Sequence, residues 1–105
     1  MSLPNLKYIK DLSGGDEAFE QKFLTILKDE FPVERRAYET ALENREQDAS
    51  CAIVHKMKHK FNILGMEEAY ECAVSYEKDL LEGSFDKDEE FRVHLGTVTH
   101  FLNTL

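Results

Sequence analysis

The sequence predicts an all-α fold, an up-down antiparallel four-helix bundle with a short additional helix at its N-terminus. Three observations predict it. Apolar residues recur at spacings of three and four along nearly the whole chain, the period of one buried helical face. No segment alternates with period two for long enough to be a strand. Five Gly and two Pro in 105 residues are too few for a turn-rich β protein, and the breaks they mark leave only short connections, as in a bundle. With 42% apolar and 32% charged residues, the chain suits a single domain, 1–105, around one modest core.

Residues 1–4 are expected to be a disordered or extraneous end. Leu6, Ile9 and Leu12 then outline a short helix that stops at Ser13-Gly14-Gly15. Asp16 is the expected N-cap of the next helix, with a buried face of Phe19, Phe23, Ile26, Leu27 and Phe31. Pro32 removes a backbone donor and is expected to kink or restart that helix. Ala37, Tyr38, Ala41 and Leu42 keep the period up to the polar run Glu43–Gln47. Asp48 is the expected cap of the following helix, with Val54, Met57, Phe61 and Leu64 as its stripe, Ile53 on the flank, and Gly65 at its end. Glu67 and Glu68 suit the first turn of the next one, where Ala69, Ala73, Tyr76, Leu80 and Leu81 supply the core side and Gly83-Ser84 the stop. Asp86 with Glu89 reads as a capping-box-like start for the last helix, whose stripe is Phe91, Leu95, Val98 and Leu102.

Charge narrows the function. Lys and Arg total 13 against 21 Asp and Glu, a formal charge of -8, which argues against nucleic acid or an anionic membrane surface as partner. The longest apolar run, Cys51–Val54, is far short of a membrane span or a secretory signal. Cys51 and Cys72 form no CxxC pattern, and their axial offset on neighbouring helices exceeds what a disulfide bridges. Both are expected to be thiols, Cys72 partly exposed, in a reducing cytoplasm.

The chemistry concentrates in one stretch. No acidic residue occurs from Ala49 through Met66, which holds Lys56, Lys58 and Lys60, so this segment carries +3 while the rest, with 10 basic and 21 acidic side chains, carries -11. His55 and His59 lie inside it. His55 is turned about 100° from the core residue Val54 and shares a mixed face with Cys51, Lys58, His59 and Asn62. A histidine there, among lysines, suits a group that receives an anion. The tight connection at Gly65-Met66 makes the flanking helices antiparallel neighbours, so His55 meets Tyr76 and Glu77 across the hairpin. Glu77 can then accept a hydrogen bond from His55 Nδ1–H and leave Nε2 as the nucleophile.

The run Val54-His55-Lys56-Met57-Lys58, followed by Leu64-Gly65, resembles the signature of histidine-containing phosphotransfer (HPt) domains, roughly H-x-[LM]-K-G-[ST] and then an apolar residue before Gly. The pair Tyr76-Glu77 stands where that family often has Leu-Glu, and the layout of helices is similar over nearly the whole chain. The sequence departs from the pattern at His59, where the family usually has Gly, and at Lys60, where it usually has a small hydroxyl residue; such bulk is expected to restrict or tune docking. The resemblance implies a phosphorelay carrier and not a turnover enzyme. His55 takes a phosphoryl group from a receiver-domain aspartate and passes it to another, Lys58 steadies the phosphoryl oxygens, and Glu77 orients the imidazole. The implied partners are a response-regulator receiver domain and a hybrid histidine kinase, met by a monomer through Tyr8, Ile9, Leu12, His59 and Asn62. No cofactor is implied for this chain, the divalent metal belonging to the receiver.

Two rival readings come from other classes. One is a helical interaction or adaptor module in which His55 is incidental. The other is a metal site built on the i, i+4 pair His55 and His59 with Glu77, Cys72 or Cys51, weakened by Lys56, Lys58 and Lys60, which repel a cation; no metal ligand is therefore assigned. His94 and His100 read as ordinary helix histidines. Ser13-Gly14-Gly15-Asp16 lacks the lysine and spacing of a nucleotide loop.

Overall fold

A computed structural model describes residues 3–105. They form five helices and no strand: α1 (Lys7–Ser13), α2 (Glu17–Glu43), α3 (Gln47–Ile63), α4 (Glu67–Leu81) and α5 (Asp88–Asn103). Consecutive helices pack on one another, and α2 also meets α5, which closes the ring around the core. The expectation for residues 1–4 falls in part on Met1 and Ser2, which lie outside the described residues; Pro4 is already half-buried.

The helix ends follow local chemistry. The Asp16 side chain accepts from Phe19 N–H at 3.1 Å and caps α2 as expected. Pro32 neither ends nor restarts that helix, which runs 27 residues straight through it. Pro32 and Lys28 are both exposed, so the Lys28 carbonyl, deprived of its intrahelical donor, is on the solvent side. Asp48 is not the cap of α3. Glu46 holds that place and Asp48 sits in the first turn, because α2 closes in a tight motif with Arg45 left-handed and Glu46 N–H bonded back to the Ala41 carbonyl. Gln47 then donates to the carbonyls of Leu80 and Leu81, at 2.7 and 3.2 Å, and ties the start of α3 to the end of α4. Nor does Asp86 cap α5. It lies in the turn before it, its N–H bonded to Ser84 Oγ, and Lys87 is the boundary residue.

The core stripes of α3 and α5 are buried as read: Val54, Met57, Phe61 and Leu64, and Phe91, Leu95, Val98 and Leu102. On α4, Ala69, Ala73, Tyr76 and Leu80 are buried but Leu81 faces water. The largest difference is on α2, where Phe19 and Ile26 are exposed, Phe23 is half-buried, and Leu24, Leu27, Phe31, Tyr38, Ala41 and Leu42 make the inner face. Leu27 and Phe31 are buried as expected, and the inner face is turned by about 60° from the expected stripe, away from Phe19 and Ile26 and toward Leu24. Phe19 and Phe23 stay together on its flank, ring centroids 6.2 Å apart.

Burying Tyr38 and Tyr76 inside this core requires partners for two hydroxyls. They find each other at 2.7 Å, and the Tyr38 hydroxyl donates to Asp88 Oδ1 at 2.5 Å. Arg92 Nε in turn donates to both Asp88 oxygens, at 2.9 and 3.1 Å. One polar chain thereby links α2, α4 and α5.

Candidate functional site

The α3–α4 hairpin positions the site. Gly65, at φ +71°, follows the end of α3, with its N–H bonded to the Asn62 carbonyl and Met66 N–H to Phe61, so α4 starts within a few residues. Side-chain contacts then run in opposite senses along the two helices, from Gln47 at Leu80, through Cys51 at the Glu77 carbonyl, to His55 at the Glu77 side chain. Val54 and Met57 anchor α3 inward, which turns His55 to the rim, its side chain 52% exposed.

Across the hairpin, His55 Nδ1 lies 2.9 Å from Glu77 Oε2, and Lys58 Nζ lies 2.9 Å from Glu77 Oε1. The two carboxylate oxygens thus face two different partners. Partial burial works to raise the Glu77 pKa, but hydrogen bonds from Lys58 and His55 and their charges outweigh it and hold the carboxyl below its ordinary value. An ionised carboxylate only accepts, so Nδ1 carries a proton, and in the neutral ring the free lone pair is on Nε2. With Nδ1 protonated, the 3.4 Å approach of Lys58 Nζ to Nδ1 sets two donors side by side and is not itself a hydrogen bond. Among the described residues no hydrogen bond engages Nε2. The arrangement presents an oriented imidazole to solvent.

The cationic surroundings are less bare than the charge count implies. Lys58, 15% exposed, is taken up by Glu77 and stands on the Nδ1 side of the ring. Lys60 turns away to α2, where it meets Glu34 at 3.1 Å and Glu30 at 3.4 Å. Its bulk therefore does not crowd His55. His59 does stand beside it, the two rings edge to face with centroids 5.0 Å apart.

Of the expected docking residues, Tyr8, Leu12, His59 and Asn62 are exposed. Ile9 is not available: it is fully buried, because α1 lays this one residue onto the core while its neighbours face outward. Asn5 holds α1 against the hairpin turn, its N–H donating to the Leu64 carbonyl at 2.8 Å and its Oδ1 accepting from Lys7 N–H.

The thiols are both free. Cys72 is buried and not partly exposed, because its side of α4 packs toward α5; burial, then the Glu90 carboxylate, push its pKa up to about 12. Burial, with Glu77 and Asp48 nearby, also raises Cys51. Neither is an activated nucleophile. Among the described residues, His55 and His59 do not converge with Glu77, Cys72 or Cys51 into a group of three ligand atoms; Cys72 lies instead beside Glu90 and His94, the latter a buried histidine of α5. The i, i+4 spacing of Glu90 and His94 was the available sequence signal, but only the register of α4 against α5 adds Cys72.

Comparison with protein-family models, with curated proteins and with solved structures finds no match for this chain at the level that would indicate kinship.

Proposed function

We propose that this chain is a phosphorelay carrier, a histidine phosphotransfer domain with the up-down antiparallel bundle architecture, acting as a cytoplasmic monomer between a hybrid histidine kinase and response-regulator receiver domains. The observation that carries this reading is the half-exposed His55 ring whose Nδ1 is held by Glu77 of the neighbouring helix at 2.9 Å.

In the proposed reaction Nε2 attacks the phosphorus of a receiver's aspartyl phosphate, in line with the departing carboxylate oxygen. The N–P bond forms as the P–O bond breaks, the aspartate leaves with the electron pair, and the ring becomes an imidazolium with its proton still on Nδ1. Glu77 accepts that proton's hydrogen bond more strongly as the positive charge develops. The incoming dianion competes with Glu77 for the Lys58 ammonium, which swings from the Nδ1 side to the phosphoryl oxygens. Reversal onto a second receiver aspartate regenerates the neutral ring, so the chain stores the group and is no turnover enzyme. The divalent metal of the reaction is the receiver's. Tyr8, Leu12, His59 and Asn62 supply the docking surface, with His59 tuning which receiver fits.

The test is phosphorylation of the purified chain by phosphoramidate and by phosphorylated receiver domains. One acid-labile phosphoryl group should appear at His55 and vanish in His55→Gln. Label that persists in His55→Gln overturns the site. No label from any donor, with receivers still bound, establishes a helical adaptor in its place.

A further inference from the structure

We propose that Cys72, Glu90 and His94 form a binding site for a zinc-class transition-metal ion between α4 and α5. Glu90 and His94 are four residues apart on α5 and share one face, and Cys72 of α4 is directed at that face. One ligand atom from each residue, the Cys72 sulfur, a Glu90 oxygen and a His94 ring nitrogen, lies within 4.8 Å of the others.

A tetrahedral zinc with ordinary bond lengths sets such atoms about 3.3–3.5 Å apart. Closure from a separation of up to 4.8 Å takes at most about 1.5 Å, shared among the three side chains. The donor set selects the ion: a thiol sulfur and an imidazole suit zinc or cobalt, whereas magnesium and calcium call for oxygen ligands throughout. Cys72 and His94 are 6% and 7% exposed, so two donors are preorganised in a dry wall. The His94 ring also packs edge-on against Phe61, centroids 6.2 Å apart, which limits its rotation. Glu90 is exposed and gives the ion its entry and its open fourth position. Thiolate and carboxylate together neutralise a divalent ion, and the nearby Lys87 ammonium is committed to Asp79. The ion displaces the thiol proton to solvent as the metal–sulfur bond forms; no redox change is involved. None of the three ligands belongs to the His55–Lys58–Glu77 group, so the site stands independently of the phosphorelay reading. An ion here clamps α4, which carries Glu77, to α5.

The test is titration of the reduced, chelator-treated full chain with cobalt(II), then displacement by zinc. One equivalent of cobalt should bind with thiolate-to-metal charge-transfer absorption and tetrahedral visible bands. Cys72→Ser should abolish the charge-transfer band, and Glu90→Gln, at an exposed position where folding is not at issue, should weaken binding at least tenfold. His94→Ala should do the same, with helix content checked by circular dichroism, while His55→Gln combined with His59→Ala should leave binding unchanged. Absence of stoichiometric binding overturns the proposal, as does binding without thiolate absorption or binding lost only in the His55/His59 variant.

Discussion

Tyr38 of α2 and Tyr76 of α4 meet hydroxyl to hydroxyl at 2.7 Å inside the core. Tyr76 immediately precedes Glu77, so this contact fixes the rotation of α4 that presents Glu77 to His55. The direction of the chain of donors is set at its far end. Asp88, which also accepts from Arg92, accepts from Tyr38, and Tyr38 oxygen is left to accept from Tyr76. Burial, reinforced by Asp88, raises the Tyr38 pKa far above that of an ordinary phenol, so its proton stays in place.

Removing the middle hydroxyl should therefore cost more than removing the terminal one. Tyr38→Phe strands the Tyr76 donor and takes from Asp88 Oδ1 one of its two donors, leaving Arg92, and is expected to lower unfolding free energy by about 2 kcal/mol. Tyr76→Phe leaves the Tyr38–Asp88 bond intact and should cost about 1 kcal/mol. Urea unfolding of both variants checks the order; equal losses would mean that Tyr38 and Asp88 are not coupled.

Glu77 gives a pH dependence with a definite sign. Its folded-state pKa is depressed, so its contribution is fully present above the unfolded carboxyl value of about 4.3 and is lost as pH falls through the lower folded value. The stability difference between the wild type and Glu77→Gln should be small at pH 7, within about 1 kcal/mol for a partly exposed pair, and should shrink further on acidification. Urea midpoints measured from pH 7 to pH 3 check this. A difference that grows toward acid would contradict the assignment.

Lys58 and Lys60, two residues apart, should separate function from stability. Lys58 faces Glu77 and His55, whereas Lys60 bridges α3 to Glu34 and Glu30 of α2. Lys58→Ala is expected to slow phosphorylation of His55 about tenfold or more with little change in stability. Lys60→Ala should leave the rate near wild type and lower stability by about 1 kcal/mol, since it leaves a half-buried Glu34 unpaired. Phosphoramidate labelling rates and urea unfolding of the two variants check the pair, and reversed behaviour would exchange their roles.

What the sequence made legible was what depends on a single helix or a tight hairpin. The stripes of α3 and α5 follow from period alone, and the meeting of His55 with Glu77 follows from the short turn at Gly65 and a fixed rise per residue. Features that depend on three helices at once were not legible. The inner face of α2 is read correctly at Leu27, Phe31, Tyr38, Ala41 and Leu42 but not in its first turns, because Phe19, Phe23 and Ile26 are as apolar as Leu24, and only packing against α1, α3 and α5 chooses among them. Ile9, taken for a docking residue, is buried for the same reason. Asp48 and Asp86 are sound caps by residue type, but Gln47 bonding to the end of α4 and Asp88 bonding to Tyr38 shift both starts. Cys72 joins Glu90 and His94 only through the register of α4 against α5.

The turn that sets the hairpin register also holds α1. Gly65 has φ +71°, and a Cβ there would lie 2.5 Å from Asn5 Nδ2. Gly65→Ala therefore combines left-handed strain of about 1–2 kcal/mol with displacement of Asn5, whose backbone and side chain tether the start of α1. The expected result is a loss of about 2–3 kcal/mol, with faster amide exchange at Lys7–Asp11 than in α3 or α4. Asn5→Gly in the same background removes the clash but also the bond to Lys7, so it should restore only part of the stability. Urea unfolding and hydrogen exchange of the single and double variants check this. Full tolerance of Gly65→Ala, with α1 as protected as in the wild type, would show that neither the backbone angle nor the Asn5 contact constrains the turn.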